Sequence, residues 1–173
     1  MGQARGCTHC CHRRRTDGGS VIEVPPRLVI VDADLLAGWR RPSASLGQLR
    51  EAVAALKDQE PEATVAVIAD PALKWALDPA DQVDIEHDIV SRFLLMAPAG
   101  SAGGHVGFIA RVVEVASARG WDPVVITARS VPGARLGKPS RVGGKWRFDL
   151  DAAQPTIVAS GSPPRRRRKA PAA

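Results

Sequence analysis

Two apolar runs in this chain each end in an aspartate, and they constrain the fold more than any other feature. The runs are residues 28–31, followed by Asp32, and residues 63–69, followed by Asp70. Continuous apolar runs rich in Val and Ile are typical of strands in a parallel sheet that is buried on both faces. The residue after each run therefore lies at the carboxyl edge of the sheet, where open α/β folds bind their ligands. If the two strands are neighbours, two carboxylates converge, and a hard divalent cation is their expected partner.

Strand-like and helix-like segments alternate along the rest of the chain, with connections too long for hairpins. The predicted strands are residues 27–32, 63–69, 94–97, 123–127 and, as a late edge strand, 145–150; the predicted helices are 45–58, 71–77, 78–92 and 105–119. A loop is expected over residues 37–42. This order predicts an α/β fold with a central, mostly parallel sheet of four to five strands and helices on both faces.

The length of 173 residues fits one domain with a sizeable core plus tails. We place the domain at residues 25–152, between a flexible basic arm (1–24) and a disordered Pro/Arg-rich tail (153–173). The formal net charge of +6 is concentrated in short arginine clusters at the two ends, 13–15 and 165–169. Such clusters bind polyanions through charge alone, so they favour nucleic acid without specifying a target.

All three cysteines lie within residues 7–11, so no cysteine in the body of the chain is available for cross-linking. This excludes a disulfide-stapled secreted protein and favours a reducing cytoplasm. The segment 7–12 contains a Cys-x-x-Cys, but it lacks the second ligand pair of a structural zinc site, and zinc binding there is left open. No apolar stretch is long enough to span a membrane, and no signal-peptide core is present.

Several short motifs occur in a characteristic order. They are the Val-Asp-Ala-Asp-Leu-Leu-Ala-Gly run from 31 to 38, the strand that ends at Asp70, an acidic helix, the Ala-Pro-Ala-Gly turn at 97–100, and Gly120 ahead of Val-Val-Ile-Thr. Over residues 27–150 this order resembles bacterial NYN domains, which belong to the PIN-like metal-dependent ribonucleases and are related to the regnase type. The resemblance implies a three-layer fold, an Mg²⁺ or Mn²⁺ cofactor, RNA as the partner and hydrolysis of its phosphodiester bonds. By position, Asp32 and Asp70 match the first two acidic residues of the family and are the implied catalytic and metal-binding residues.

The remaining family positions differ. Leu35 stands where an asparagine is usual, residues 103–105 (Gly-Gly-His) where an aspartate is expected, and residues 127–129 (Thr-Ala-Arg) where the family has a Ser-Asn-Asp-like triplet. Asp34 restores a metal ligand only if the first strand persists past Asp32, so that alternation turns both side chains to one side. Because Arg129 attracts phosphate and repels a metal, we expect weakened or lost cleavage.

Less specific interpretations remain open for these residues. Asp32 and Asp70 could simply cap the helices that follow them. The acidic stretch 78–88 is expected to be a solvated helical face, and His105 an exposed residue at the start of a helix. Trp39 is more typical of packing, although its neighbours Arg40 and Arg41 would suit stacking on RNA.

Three functions therefore compete. The first is a PIN-like ribonuclease with Asp32, Asp34 and Asp70 at the metal. The second is a non-catalytic RNA-binding protein of the same fold; its phosphate-binding residues would be Arg129, Lys138, Arg141, Arg40 and Arg41. The third is a haloacid-dehalogenase-like phosphatase, suggested by Asp32-Ala33-Asp34 and the distant Thr127. RNA is the expected partner and a membrane is not; a homodimer is left open.

Overall fold

A computed structural model describes residues 26–151 and shows six strands and five helices in that range. In chain order they are β1 (Arg27–Asp32), α1 (Ala33–Ala37), α2 (Leu46–Gln59), β2 (Thr64–Ala69), α3 (Leu73–Ala76), α4 (Asp81–Val90), β3 (Leu95–Met96), α5 (Gly104–Ala118), β4 (Asp122–Ile126), β5 (Arg135–Val142) and β6 (Lys145–Asp149). The basic arm, the Cys/His segment and the Arg-rich tail lie outside the described residues. Within the described part, no helix is both long enough and apolar enough to cross a bilayer.

The sheet is built around β1. Its strand order is β3-β2-β1-β4-β5-β6, and every pair is parallel except β5 with β6. In register, Ile30 lies between Ala66 of β2 and Val125 of β4. A strand in this position is covered on both faces, which explains why its apolar run is continuous rather than alternating.

Side-chain alternation along β1 divides the core into two layers. Val29 and Val31 face a larger cluster that includes residues of α1, α2, α3 and α4, whereas Ile30 faces a smaller one formed mainly with α5. On the α5 side, Ile109 and Val113 pack against the sheet. The molecule is therefore a three-layer α/β structure.

Two elements differ from the sequence prediction. Residues 33–36, between the predicted first strand and the predicted loop, had no predicted element; they form most of the short helix α1, because the Asp32 side chain accepts a hydrogen bond from the backbone N–H of Leu35 and caps a helical turn. The sheet has six strands rather than four to five. The additional strand, β5, has no apolar run, and it forms a hairpin with β6 through Gly143 and Gly144, both at positive φ (57° and 80°).

The acidic helix α4 is less solvated than predicted. Asp88 is buried, and its carboxylate accepts two hydrogen bonds, at 3.0 and 3.1 Å, from the Arg50 guanidinium of α2. Asp81 accepts a 2.7 Å hydrogen bond from the backbone N–H of Leu46, the first residue of α2. The hydrogen bond to Asp88 raises the pKa of Arg50. These acidic residues join α2 to α4, so the prediction of a solvated face is wrong for Asp81 and Asp88.

Candidate metal-binding site at the carboxyl edge of the sheet

The order in which successive strands are added to the sheet reverses at β1. The chain moves from β1 to β2 on one side, and then from β3 across to β4 on the other. In open parallel sheets this switch point leaves a crevice beyond the carboxyl ends of the strands. Asp32 ends β1, Asp70 follows β2 and Thr127 follows β4, so three polar residues border the crevice.

Asp32 is the most buried of these residues, only 3% exposed. One carboxylate oxygen, Oδ1, accepts the hydrogen bond from Leu35 N at 3.4 Å. The other, Oδ2, accepts a 2.7 Å hydrogen bond from the Thr127 hydroxyl, which in turn accepts one from the backbone N–H of Arg129. Asp32 therefore caps α1, as the less specific interpretation proposed, but it also joins the ends of β1 and β4.

Asp34 reaches the same crevice by a route that differs from the prediction. The first strand does not persist past Asp32; Asp34 lies in the first turn of α1, and its Oδ2 accepts a 2.9 Å hydrogen bond from the backbone N–H of Asp70. Burial raises the pKa of Asp34, and the charges of Asp32 and Asp70 add to this effect. A helical turn, not strand alternation, thus gathers these acidic residues.

His105 is buried, at 5% exposure, so its prediction as an exposed residue is wrong. The preceding glycines Gly103 and Gly104, at φ of 75° and 66°, turn the chain so that α5 starts over the edge of the sheet. The imidazole Nδ1 lies 2.9 Å from Asp70 Oδ2, and Nε2 lies 3.7 Å from Asp32 Oδ1. Within residues 26–151, Nε2 is buried without a hydrogen-bond partner.

Asp70 is the most exposed of these acidic residues that contact one another, with a side chain about one-third exposed, at 34%. Its Oδ1 accepts a 2.8 Å hydrogen bond from the backbone N–H of Ala72. This hydrogen bond lowers the pKa of Asp70, and His105 and the positive charge of Arg129 lower it further. Asp70 is therefore an ionised group that solvent can reach.

The residues present suit a divalent cation. Asp32, Asp34 and His105 each offer one ligand atom, and these three atoms lie within 4.8 Å of one another. Carboxylate oxygens and an imidazole nitrogen are common metal donors, and the unpaired Nε2 is a buried polar atom for which a cation would supply a partner.

The cationic residues predicted to contact RNA are exposed but differ in their surroundings. Arg129 lies at the same edge as Asp70, whose pKa its charge lowers. Lys138 lies on β5. Arg141 is paired with Glu51 at 3.1 Å, and Arg41 lies 3.7 Å from Asp78, so these two charges are partly offset.

The aromatic residue considered for stacking on RNA is engaged within the fold. Trp39 packs edge-to-face on Trp146, with ring centroids 6.0 Å apart, while the guanidinium of Arg40 lies over the Trp39 ring. Trp75, in the segment after Asp70, is instead 77% exposed. Its exposure follows from tertiary packing and has no local signal in the sequence.

His105 and Thr127 belong to the site but were not among the residues predicted for the ribonuclease site; Thr127 was considered only for the phosphatase alternative. Thr127 follows a predicted strand, so its place at the edge was a usable signal. His105 had a usable signal too, because it lies directly after a glycine-rich loop and beside the position where the resembling family has an aspartate.

Comparisons with known proteins identify the fold. No protein-family model and no curated protein sequence matches the chain. Among solved structures, nuclear proteinaceous RNase P 2 (PRORP2) from A. thaliana is similar, with a TM-score of 0.51 and 15% sequence identity. The match covers 70% of this chain but only 29% of the A. thaliana protein, so the chain spans less than a third of its neighbour. The predicted fold class is confirmed: the domain has a PIN-like three-layer α/β fold, similar to that of part of the A. thaliana protein.

Proposed function

We propose that the domain is a metal-dependent ribonuclease-like domain of the bacterial NYN, regnase-related type that hydrolyses RNA phosphodiester bonds, with weakened activity. The observation that supports this most is the convergence of Asp32, Asp34, Asp70 and His105 at the switch point of the sheet. The similar fold of an RNase P protein favours RNA as the substrate.

Asp32 and Asp34 would hold the cation, Mg²⁺ or Mn²⁺, with Asp70 beside them. When bound, the cation would lower the pKa of a water and stabilise charge on the phosphate. The Thr127 hydroxyl and Leu35 N–H fix the Asp32 carboxylate, so it need not reorganise to bind a ligand. Asp70, ionised and partly exposed, is the carboxylate that a substrate can reach.

Phosphate binding is assigned to the cations at and near this edge. Arg129 is the first of them, since it is exposed and close enough to Asp70 to affect its pKa. Lys138, Arg141, Arg40 and Arg41 extend the set. Contacts of this kind act on the backbone of RNA, so binding should weaken steeply with salt.

The test is cleavage of labelled single-stranded RNA with Mn²⁺, with Mg²⁺ and with a chelator. Asp32→Asn keeps the side-chain shape but removes the charge, and we expect it to reduce the metal-dependent rate by about 100-fold or more. Asp58→Asn, a change at an exposed acidic residue of α2, is the matched control and should leave the rate unchanged.

RNA that is retarded in a gel but stays intact under all conditions would contradict the ribonuclease proposal and select the non-catalytic RNA-binding alternative. Turnover of a generic aryl phosphate that depends on Asp32 would instead select the phosphatase alternative.

A further inference from the structure

We infer that the site binds a transition-metal ion through a nitrogen ligand, His105 Nε2, together with carboxylate oxygens of Asp32 and Asp34, and that it selects such ions over Mg²⁺. Asp70 is then a positioning residue that holds the imidazole. The inference rests on the proposed function only in that a divalent cation occupies the crevice; it does not require that RNA is cleaved.

The hydrogen bond to Asp70 fixes how the imidazole presents its two nitrogens. An ionised carboxylate can only accept hydrogen bonds, so the 2.9 Å contact requires that His105 Nδ1 carries the proton. In the neutral ring this leaves Nε2 with a free lone pair. A histidine whose Nδ1–H is held by a carboxylate while Nε2 faces other donors is the usual arrangement of a metal-ligating histidine.

The burial of Nε2 is the second, independent observation. The side chain of His105 is about 95% buried, at 5% exposure, and Nε2 has no hydrogen-bond partner in the part of the chain that the structure describes. The atom faces Asp32, whose Oδ1 is 3.7 Å away, too far for a hydrogen bond. A metal ion bound to both atoms, and to Asp34 as the third member of the cluster, would give this nitrogen a partner.

The donor types determine which ion fits. Mg²⁺ is bound through oxygen donors and keeps most of its waters, whereas imidazole favours the later divalent ions of the first transition row. For one nitrogen and two carboxylates, affinity should rise in the order Mg²⁺, Mn²⁺, Co²⁺ and then Zn²⁺. A purely structural role makes a different prediction: a protonated imidazole would form ion pairs with Asp32 and Asp70, and no ion would be selected.

The experiment measures binding of Co²⁺ and Mg²⁺ to the full chain, without relying on activity. The background for every measurement carries Cys7→Ser, Cys10→Ser, Cys11→Ser, His9→Gln and His12→Gln, which removes the thiols and imidazoles of the amino-terminal segment. Only two histidines then remain, His87 and His105. The position and intensity of the visible bands of bound Co²⁺ depend on its donor atoms and coordination number, and the shift of thermal unfolding with the concentration of each metal gives its affinity.

We expect Co²⁺ to bind at least about tenfold more tightly than Mg²⁺. His105→Gln should remove this preference and shift the Co²⁺ bands toward those of all-oxygen coordination, while His87→Gln, at the exposed histidine of α4, should change neither. His105→Glu replaces the nitrogen with an oxygen donor of similar reach and should move the preference toward Mg²⁺, which distinguishes a ligand from a packing residue.

Asp70→Asn tests the positioning role. Loss of such an outer partner weakens metal binding by about 10- to 100-fold, and it should shift the Co²⁺ absorption band because the imidazole becomes a poorer donor. If Asp70 had a structural role alone, Asp70→Asn would change the unfolding temperature, but the absorption band of the Co²⁺ that still binds would not move.

The outcomes separate this inference from the proposed function. Equal affinity for Mg²⁺ and Co²⁺, or Co²⁺ bands that His105→Gln leaves unchanged in position and intensity, overturns the inference and leaves the ribonuclease proposal intact. If neither ion binds, both fail. Selective Co²⁺ binding through His105 without RNA cleavage supports the inference and contradicts the proposed function.

Discussion

Asp34 occupies a position that is unfavourable for its own charge. It is partly buried and close to Asp32 and Asp70, and both conditions raise its pKa above the ordinary 3.8. The folded protein therefore binds this proton more tightly than the unfolded chain does. The stability of the metal-free protein must fall as pH rises from the unfolded pKa through the folded one, and the penalty persists at neutral pH.

We predict that Asp34→Asn raises the unfolding temperature of the metal-free protein at neutral pH by a few degrees. The amide oxygen can still accept the hydrogen bond from Asp70 N–H, while the unfavourable charge is gone. The advantage should vanish at acid pH, where Asp34 itself is protonated. Calorimetry in chelator over a pH series measures this effect, and added metal should stabilise the unsubstituted protein more than the variant.

Asp58→Asn is again the control and should shift the unfolding temperature little at any pH. If Asp34→Asn lowered stability at neutral pH, the hydrogen bond to Asp70 would outweigh the cost of burying the charge.

At the scale of elements, the start of α5 determines whether His105 reaches the site. The loop before it folds back against the first turn of the helix, where Gly107 N–H donates a 3.1 Å hydrogen bond to the Gly103 carbonyl. A Cβ on Gly107 would overlap the carbonyl oxygen of Ala102 and lie 2.9 Å from its carbonyl carbon. Because both are backbone atoms, this close approach requires glycine.

Gly107→Ala should therefore destabilise the protein by about 1–3 kcal/mol, since loop or helix must move to relieve the overlap. The same movement shifts His105, so metal binding should weaken even though residue 107 contacts no metal. Denaturant unfolding measures the first effect and metal titration of the folded protein the second.

Gly47→Ala in the first turn of α2 is a matched comparison. There the added Cβ would make only an ordinary 3.6 Å contact with Ser45 Oγ. Removing a helical glycine should stabilise the protein by about 0.5–1 kcal/mol. If both substitutions changed the free energy of unfolding equally, the close contact between residue 107 and the Ala102 carbonyl would not require glycine.

At the scale of the whole molecule, the distribution of charge favours a polyanion. The chain carries a net charge of +6, and five consecutive basic residues, 165–169, lie in the carboxyl-terminal segment. Contacts between such residues and phosphates release counterions, so each one steepens the salt dependence of binding.

We predict that replacing residues 165–169 with serines weakens RNA binding and makes it less sensitive to salt. If all five contact phosphates of single-stranded RNA, the slope of log K against log salt should change by about 3.5. Equilibrium titrations at several salt concentrations measure this slope. An unchanged slope would mean that the tail does not touch RNA and that the folded domain carries the electrostatic contacts.

The sequence by itself determined the α/β class and the positions of Asp32 and Asp70 at strand ends. Both follow from local properties: the apolar runs are long and β-branched, and a parallel sheet brings its carboxyl ends to one edge. The sixth strand escaped prediction because β5 is polar and held by pairing with its neighbours. Only the tertiary structure decided that Asp34 and His105 join the site, since a capped turn of α1 carries one and a glycine-rich loop carries the other. It also decided that Asp88 pairs with Arg50 and that Trp39 packs on Trp146. These partners lie far apart in the sequence and are brought together only by folding.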